Sequence, residues 1–251
     1  MRARGFTLLE LVIVIVLIGI SAIFSTRFIA DMAHSYVSTA ERAQALAGAR
    51  FAMERMKREL SLAYSPSVYI SDDSNGQCVS FVPVLAAGSY DGLVKNKMAQ
   101  FIIPLTQQEN IITDVNIAVR ADSGASVWQD YPDTLPVNVA KLKNQTTKQS
   151  RLTFGNAFAD TVSFDKEGMG KRYTLLQPRQ VRFCLQGSEL YRAEKTEATW
   201  SRNDLMLSKL STDSKFKPYN ERLQLLVMSL SLKTQDGNLV LPNQFQVAYG
   251  P

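Results

Sequence analysis

The chain has 251 residues, 45% of them apolar and 20% charged, with 28 basic against 23 acidic side chains and a formal charge of +5. That length accommodates one or two domains, with enough chain for a core beyond any terminal helix. The basic residues, among them Arg50, Arg58, Lys141, Lys143, Arg151, Lys171, Arg172 and Arg182, are scattered and mixed with acids. Such a surplus describes a solvated surface, and nucleic acid is not expected as a partner.

The N-terminus carries the densest information. Arg2 and Arg4 form a basic leader that ends in Gly5, and from Phe6 to Thr26 the only charge is Glu10. An apolar run of about 20 residues is long enough to cross a bilayer as a helix. The leading arginines place the leader in the cytoplasm and the rest of the chain outside it. Glu10 stands inside this span, where a carboxylate costs about 2.5–3.5 kcal/mol at the midplane and less near an edge. A charge so placed needs a partner. If the chain is cut between Gly5 and Phe6, the new α-amine of Phe6 lies one helical turn before Glu10, where it neutralises the carboxylate in its own chain or a neighbour's. An ordinary secretory cleavage site would follow the apolar run, and Ser21-Ala22-Ile23-Phe24-Ser25 matches one poorly.

The segment Gly5-Phe6-Thr7-Leu8-Leu9-Glu10 followed by an apolar helix resembles the leader and anchor of type IV prepilins and type II secretion pseudopilins. The resemblance implies that a prepilin peptidase cuts between Gly5 and Phe6 and that Phe6 is then N-methylated. It implies that Glu10 is the assembly glutamate, and that the anchor packs against other major and minor pilins. It places the chain in a bacterial inner membrane as a single-pass protein with a periplasmic head, then in a pilus filament. The alternative is a plain signal-anchor helix in which Glu10 is incidental.

The helical signal continues beyond the span, with no proline before Pro66. Leu46, Ala49, Met53, Met56, Leu60 and Ala63 recur at spacings of three and four, which puts them on one helix face. Glu54 and Arg58 make a favourable i,i+4 pair away from that face. Ser65-Pro66 is expected to end the helix, because a residue before proline avoids the helical region. One helix is therefore predicted from about Phe6 to Ala63, near 85 Å if continuous. The division expected is a leader over 1–5, a helix over 6–64 with 6–29 in the membrane or filament core, and a head over 65–251.

From Pro66 onward short β-like runs alternate with turn residues. Ser67–Ile70, Cys78–Val82, Met98–Leu105, Asn116–Arg120, Leu135–Leu142 and Arg151–Phe154 are candidate strands, with Pro83 and Pro104 as stops. Asp72-Asp73-Ser74-Asn75-Gly76 reads as a turn, since it lacks the ligand spacing of a calcium loop. The clearest hairpin is Gln180–Leu185 with Ser188–Arg192, where Val181, Phe183 and Leu185 alternate onto one face and Gly187 supplies the turn. Ala193 to Tyr219 is polar and reads as a surface loop with a short helix near Leu205–Leu210. Leu223–Leu232 and Leu239–Tyr249 finish the chain as two strands around Gln235-Asp236-Gly237-Asn238.

The two cysteines, Cys78 and Cys184, and the single histidine, His34, are too few for a metal site, and no cofactor is expected. An exported head permits a Cys78–Cys184 disulfide, the alternative being two buried thiols. No nucleophile–base pattern or paired carboxylates stand out, so an enzyme is not expected. The segments Ala52–Leu60, Pro66–Val68 and Cys78–Tyr90 resemble the O-type biogenesis branch of mannose-sensitive haemagglutinin (MSHA) pili within the same family. That resemblance implies an α+β fold, with a long N-terminal membrane-spanning helix packed on a β-rich antiparallel-sheet head. It also implies a minor pilin that acts in assembly initiation or at the tip. The alternatives are a J-type pseudopilin of type II secretion, or a pilus-tip adhesin that binds ligand through loops such as Gly155–Gly170 and Ala193–Tyr219.

Overall fold

A computed structural model describes residues 8–73, 76–108, 111–145, 147–235 and 237–247. The chain divides into two compact units, Met1–Ala47 with Thr234–Gly237, and Gly48–Lys233 with Asn238–Pro251. The fold is α+β: a long apolar N-terminal helix followed by a β-rich antiparallel domain.

Helix α1 covers Leu8–Ser61, 54 residues. In the first unit its apolar side chains are exposed from Leu8 through Ile29, with Leu17 at 58% and Ile18 at 62%. Leaving a large aliphatic side chain in water forgoes about 1.5–3 kcal/mol of burial. A helix apolar all round is therefore built for lipid or for other helices.

In the second unit the last turns of α1 change character. Ala49, Ala52, Met56 and Leu60 are fully buried, and Met53 is half-buried. This is the predicted stripe, and the Met53/Met56 pair belongs to core packing. The helix stops at Ser61, earlier than Ser65-Pro66 would require. The reason is tertiary: the chain after it is recruited by a strand. Tyr64 N donates to Val82 O at 2.9 Å and Val84 N donates to Leu62 O at 2.7 Å. Ser65–Ser67 then forms a single 3-10 turn with proline in its first positions.

The strands are β1 Tyr69–Asp73, β2 Gly76–Phe81, β3 Val84–Asp91, β4 Gln100–Ile102, β5 Asn116–Ala118, β6 Val139–Lys141, β7 Arg151–Thr153, β8 Arg172–Leu176, β9 Gln180–Gln186, β10 Glu189–Lys195, β11 Asp204–Leu207, β12 Lys215–Phe216, β13 Leu225–Thr234 and β14 Gly237–Gln246. Three one-turn helices lie between them: α2 Leu105–Gln108, α3 Ala125–Trp128 and α4 Phe154–Ala157. They form a five-stranded sheet β1-β2-β9-β10-β11, a six-stranded sheet β6-β5-β8-β3-β4-β7 and a three-stranded sheet β12-β13-β14. Every pairing in the first two sheets is antiparallel.

The five-stranded sheet receives the end of α1. Directly opposed residues share a face of a sheet, and Arg192 stands opposite Phe183. Arg192 reaches Glu59 on α1, so the face bearing Val181, Phe183 and Leu185 is the helix side, and all three are buried. The β9–β10 hairpin forms as the sequence predicts. Gln186 opposes Glu189, and Gly187 takes the left-handed φ of 59° that such a tight turn demands.

The six-stranded sheet is an insertion. Strands β3 to β8 all lie in sequence between β2 and β9, which are hydrogen-bonded neighbours in the five-stranded sheet. This module has its own aromatic core, in which Phe101 contacts Tyr90, Phe158 and Tyr173 with ring centroids 5.7, 5.4 and 5.3 Å apart. A second cluster, of Tyr64, Tyr69, Trp128, Tyr131 and Leu176 among others, joins the module to the rest of the unit. Gly88 has a packing reason to be glycine. It faces Tyr173 across β3–β8, and a Cβ there would lie 2.6 Å from the ring.

Two expectations need correction. The segment near Leu205–Leu210 is strand β11, not a helix, because its backbone completes the edge beside β10. The region Ala193–Tyr219 is accordingly not one loop, since β11 and β12 fall within it. Strands β3 and β8 appear where no strand was predicted.

Candidate functional site

Glu10 lies in the first turn of α1. It is exposed, as are its neighbours Leu8, Leu9 and Leu11. Gly5 and Phe6 lie outside the described residues. Among the described residues α1 is the single helix long and apolar enough to cross a membrane.

Cys78 and Cys184 form a disulfide, with Cα atoms 4.0 Å apart. They oppose each other directly in the β2–β9 ladder. Each is buried. Their place in the topology gives the bond a purpose: it clamps the two strands between which the six-stranded module is inserted.

A polar cleft of about 540 Å³ opens beside the β10–β11 connection, lined by Arg192, Glu194, Thr199, Trp200, Ser201 and Asp204 among others. Its charges are largely committed to one another. Arg192 Nε donates to both carboxylate oxygens of Glu59 at 2.9 Å, and its Nη2 donates to Glu194. Arg179 Nη1 donates to the same Glu194 oxygen at 2.8 Å, and Arg55 Nε donates to Glu59 at 3.2 Å. Burial pushes the Glu194 carboxyl up, but the Arg192 hydrogen bond and the charges of Arg179 and Arg192 outweigh it and hold the group below the ordinary glutamate value. For Arg192, burial works against the charge, and the Glu194 and Glu59 carboxylates more than restore it. The Arg182 guanidinium stacks over the Trp200 ring, 4.2 Å from its centroid. Ser201 Oγ accepts from Glu194 N at 3.0 Å and donates to Arg202 O at 3.3 Å, so its hydroxyl is occupied by backbone.

This ion ladder ties α1 to β10 across 133 residues of sequence. Sequence reasoning assigned Glu54–Arg58 as the helix pair; the pairing that links helix and sheet runs through Arg55, Glu59 and Arg192 instead. No local spacing signals it. The predicted loop Gly155–Gly170 contributes Phe158 and Phe164 to the module's core. Among the described residues no group of three or more His, Cys, Asp or Glu is gathered for a metal ion.

The family model for the prokaryotic N-terminal methylation motif matches residues 1–26. The match supports a type IV pilin-like or pseudopilin-like protein anchored through its N-terminal helix. No curated protein and no solved structure matches the chain.

Proposed function

We propose that this chain is a minor pilin of an MSHA-like type IV pilus. A prepilin peptidase cuts between Gly5 and Phe6, Phe6 is N-methylated, and the mature helix leaves a bacterial inner membrane for the filament. Residues 1–5 are the cytoplasmic leader, 6–64 the helical anchor and 65–251 the periplasmic head. The observation that carries this reading is the methylation motif over residues 1–26. The exposed apolar α1 behind it supports the same reading. Glu10, in the first turn of that helix, pairs with the Phe6 amine of a neighbouring subunit and sets the axial register. The head primes assembly or stands at the tip.

The test is a count of surface pili by electron microscopy in a strain lacking the chain, complemented with the intact chain or with Glu10→Ala. Pili that vanish and return only with the intact chain support assembly through the Glu10 pair. Pili unchanged by the deletion overturn the priming role and bring forward a secretion pseudopilin or a dispensable tip adhesin. Glu10→Ala subunits found in filaments at the normal level overturn the pairing mechanism.

A further inference from the structure

The cleft beside the β10–β11 connection has parts that the ion ladder does not use. Lys195 and Trp200 face each other as an antiparallel bridge and close the turn 196–199 between them. Ser201 N donates to Glu194 O at 2.6 Å, and Glu194 N donates to Ser201 Oγ at 3.0 Å. The wall of the cleft is therefore held in shape before any ligand arrives, which lowers the cost of binding one. Its volume of about 540 Å³ falls within the ~300–1,000 Å³ of small-molecule sites.

Around the rim Thr196, Glu197, Thr199, Arg202 and Asp204 are exposed. Among the described residues their side chains make no hydrogen bond or ion pair with the rest of the chain. The half-buried Trp200 forms one wall. The Arg182 guanidinium stacks on this indole but does not line the cleft. It covers the ring from outside, and the part of the indole that meets the cleft is bare.

These features sort ligands by charge. An anion meets three carboxylates, Glu194, Glu197 and Asp204, against two arginines, and Arg192 is already bound to Glu59 and Glu194. A cation that sought the indole would meet Arg182 on the same ring, a like charge at close range. A wholly apolar ligand would strip water from the rim and leave its donors and acceptors without partners. A neutral polyhydroxyl compound avoids all three costs. Its hydroxyls both donate and accept, which suits a guanidinium, two carboxylates and two threonines. The C–H face of a pyranose ring also packs on an indole, whose π-face is negative.

We infer that this cleft binds a neutral saccharide. Trp200 is the platform under a pyranose ring, and Glu197, Thr199, Arg202 and Asp204 hydrogen-bond its hydroxyls. Arg192 and Glu194 hold the floor and are not spent on the ligand.

The test uses the full chain in a zwitterionic detergent without a sugar headgroup. A panel of neutral di- and trisaccharides is offered free in calorimetry, and immobilised by the reducing end on an array. Spermidine and a sulfated disaccharide are the charged probes. At least one neutral saccharide should bind saturably at millimolar concentration or below. Trp200→Ala should weaken that binding roughly tenfold or more, and Arg202→Gln, on the exposed rim, should weaken it several-fold. Emission of the buried Trp128 and the native disulfide on non-reducing gels check that each variant folds. Retention on the array identifies a surface glycan as the source, and binding of free sugar alone identifies a soluble one. Three results overturn the inference: no neutral saccharide bound, binding that both variants leave unchanged, or tighter binding of either charged probe. The inference concerns the head alone. Saccharide binding by a chain whose deletion leaves pili unchanged would keep it while removing the assembly role, and lost pili without saccharide binding would do the reverse.

Discussion

Replacing Arg192 by Met should destabilise the head by about 2 kcal/mol. The substitution keeps an unbranched stem of similar reach and removes the guanidinium, whose side chain is 9% exposed. Breaking a buried ion pair by removing one partner costs about 3–5 kcal/mol, because the partner charge is left uncompensated. Here the stranded carboxylates are 23% and 27% exposed, and each retains another arginine, Arg55 for Glu59 and Arg179 for Glu194. Partial hydration and those residual pairs bring the expected cost below the buried limit. Urea unfolding of the full chain in detergent, followed by tryptophan fluorescence, measures it, since Trp128 is fully buried. Adding Glu59→Gln to Arg192→Met should recover part of the loss, because it removes one stranded charge. A midpoint for Arg192→Met indistinguishable from the parent, or a double variant that only adds the two losses, would refute the assignment of Arg192 as the tie between α1 and β10.

Replacing Cys78 and Cys184 together by serine should cost up to about 4.7 kcal/mol on chain-entropy grounds, because the bond closes a separation of 106 residues; unfolding with and without reductant checks it. Gly88→Val should destabilise by about 1–3 kcal/mol, since the new Cβ meets the Tyr173 ring and pushes its hydroxyl off Ile102 O, which it reaches at 2.8 Å; ultraviolet resonance of the buried tyrosines and thermal melts read both effects. Stability should also fall in acid: a depressed Glu194 carboxyl contributes stability that is fully present above the ordinary value of 4.5 and is lost as pH falls through its lower folded value. Glu194→Gln should flatten that part of the acid titration, and an unchanged acid limb would contradict it. Glu167 behaves in the same sense: burial raises its carboxyl, but bonds from Lys95 N and Tyr90 Oη lower it further.

What the sequence determined by itself was local. An uninterrupted apolar run with one carboxylate at Glu10 specifies a helix for lipid or a bundle, because hydropathy needs no tertiary partner to be read. The β9–β10 hairpin was equally legible, since strict alternation at Val181, Phe183 and Leu185 and the left-handed glycine at Gly187 are short-range properties. The Cys78–Cys184 pairing followed from there being two cysteines in a head expected to be exported, though not its position directly across a ladder. Tertiary structure decided the rest. Helix α1 ends at Ser61 because Leu62 and Tyr64 exchange hydrogen bonds with Val82 and Val84, a competition that Pro66 does not announce. Strand β3 alternates in burial, but its small residues Ala86, Ala87 and Gly88 carry too little hydrophobic contrast to show it. Leu205–Leu207 reads as part of a short helix in a loop, and becomes a strand because β10 offers an edge. The insertion of β3–β8 between paired neighbours, and the Glu59–Arg192 tie, join residues whose separation in sequence carries no periodic signal, so only the folded chain brings them together.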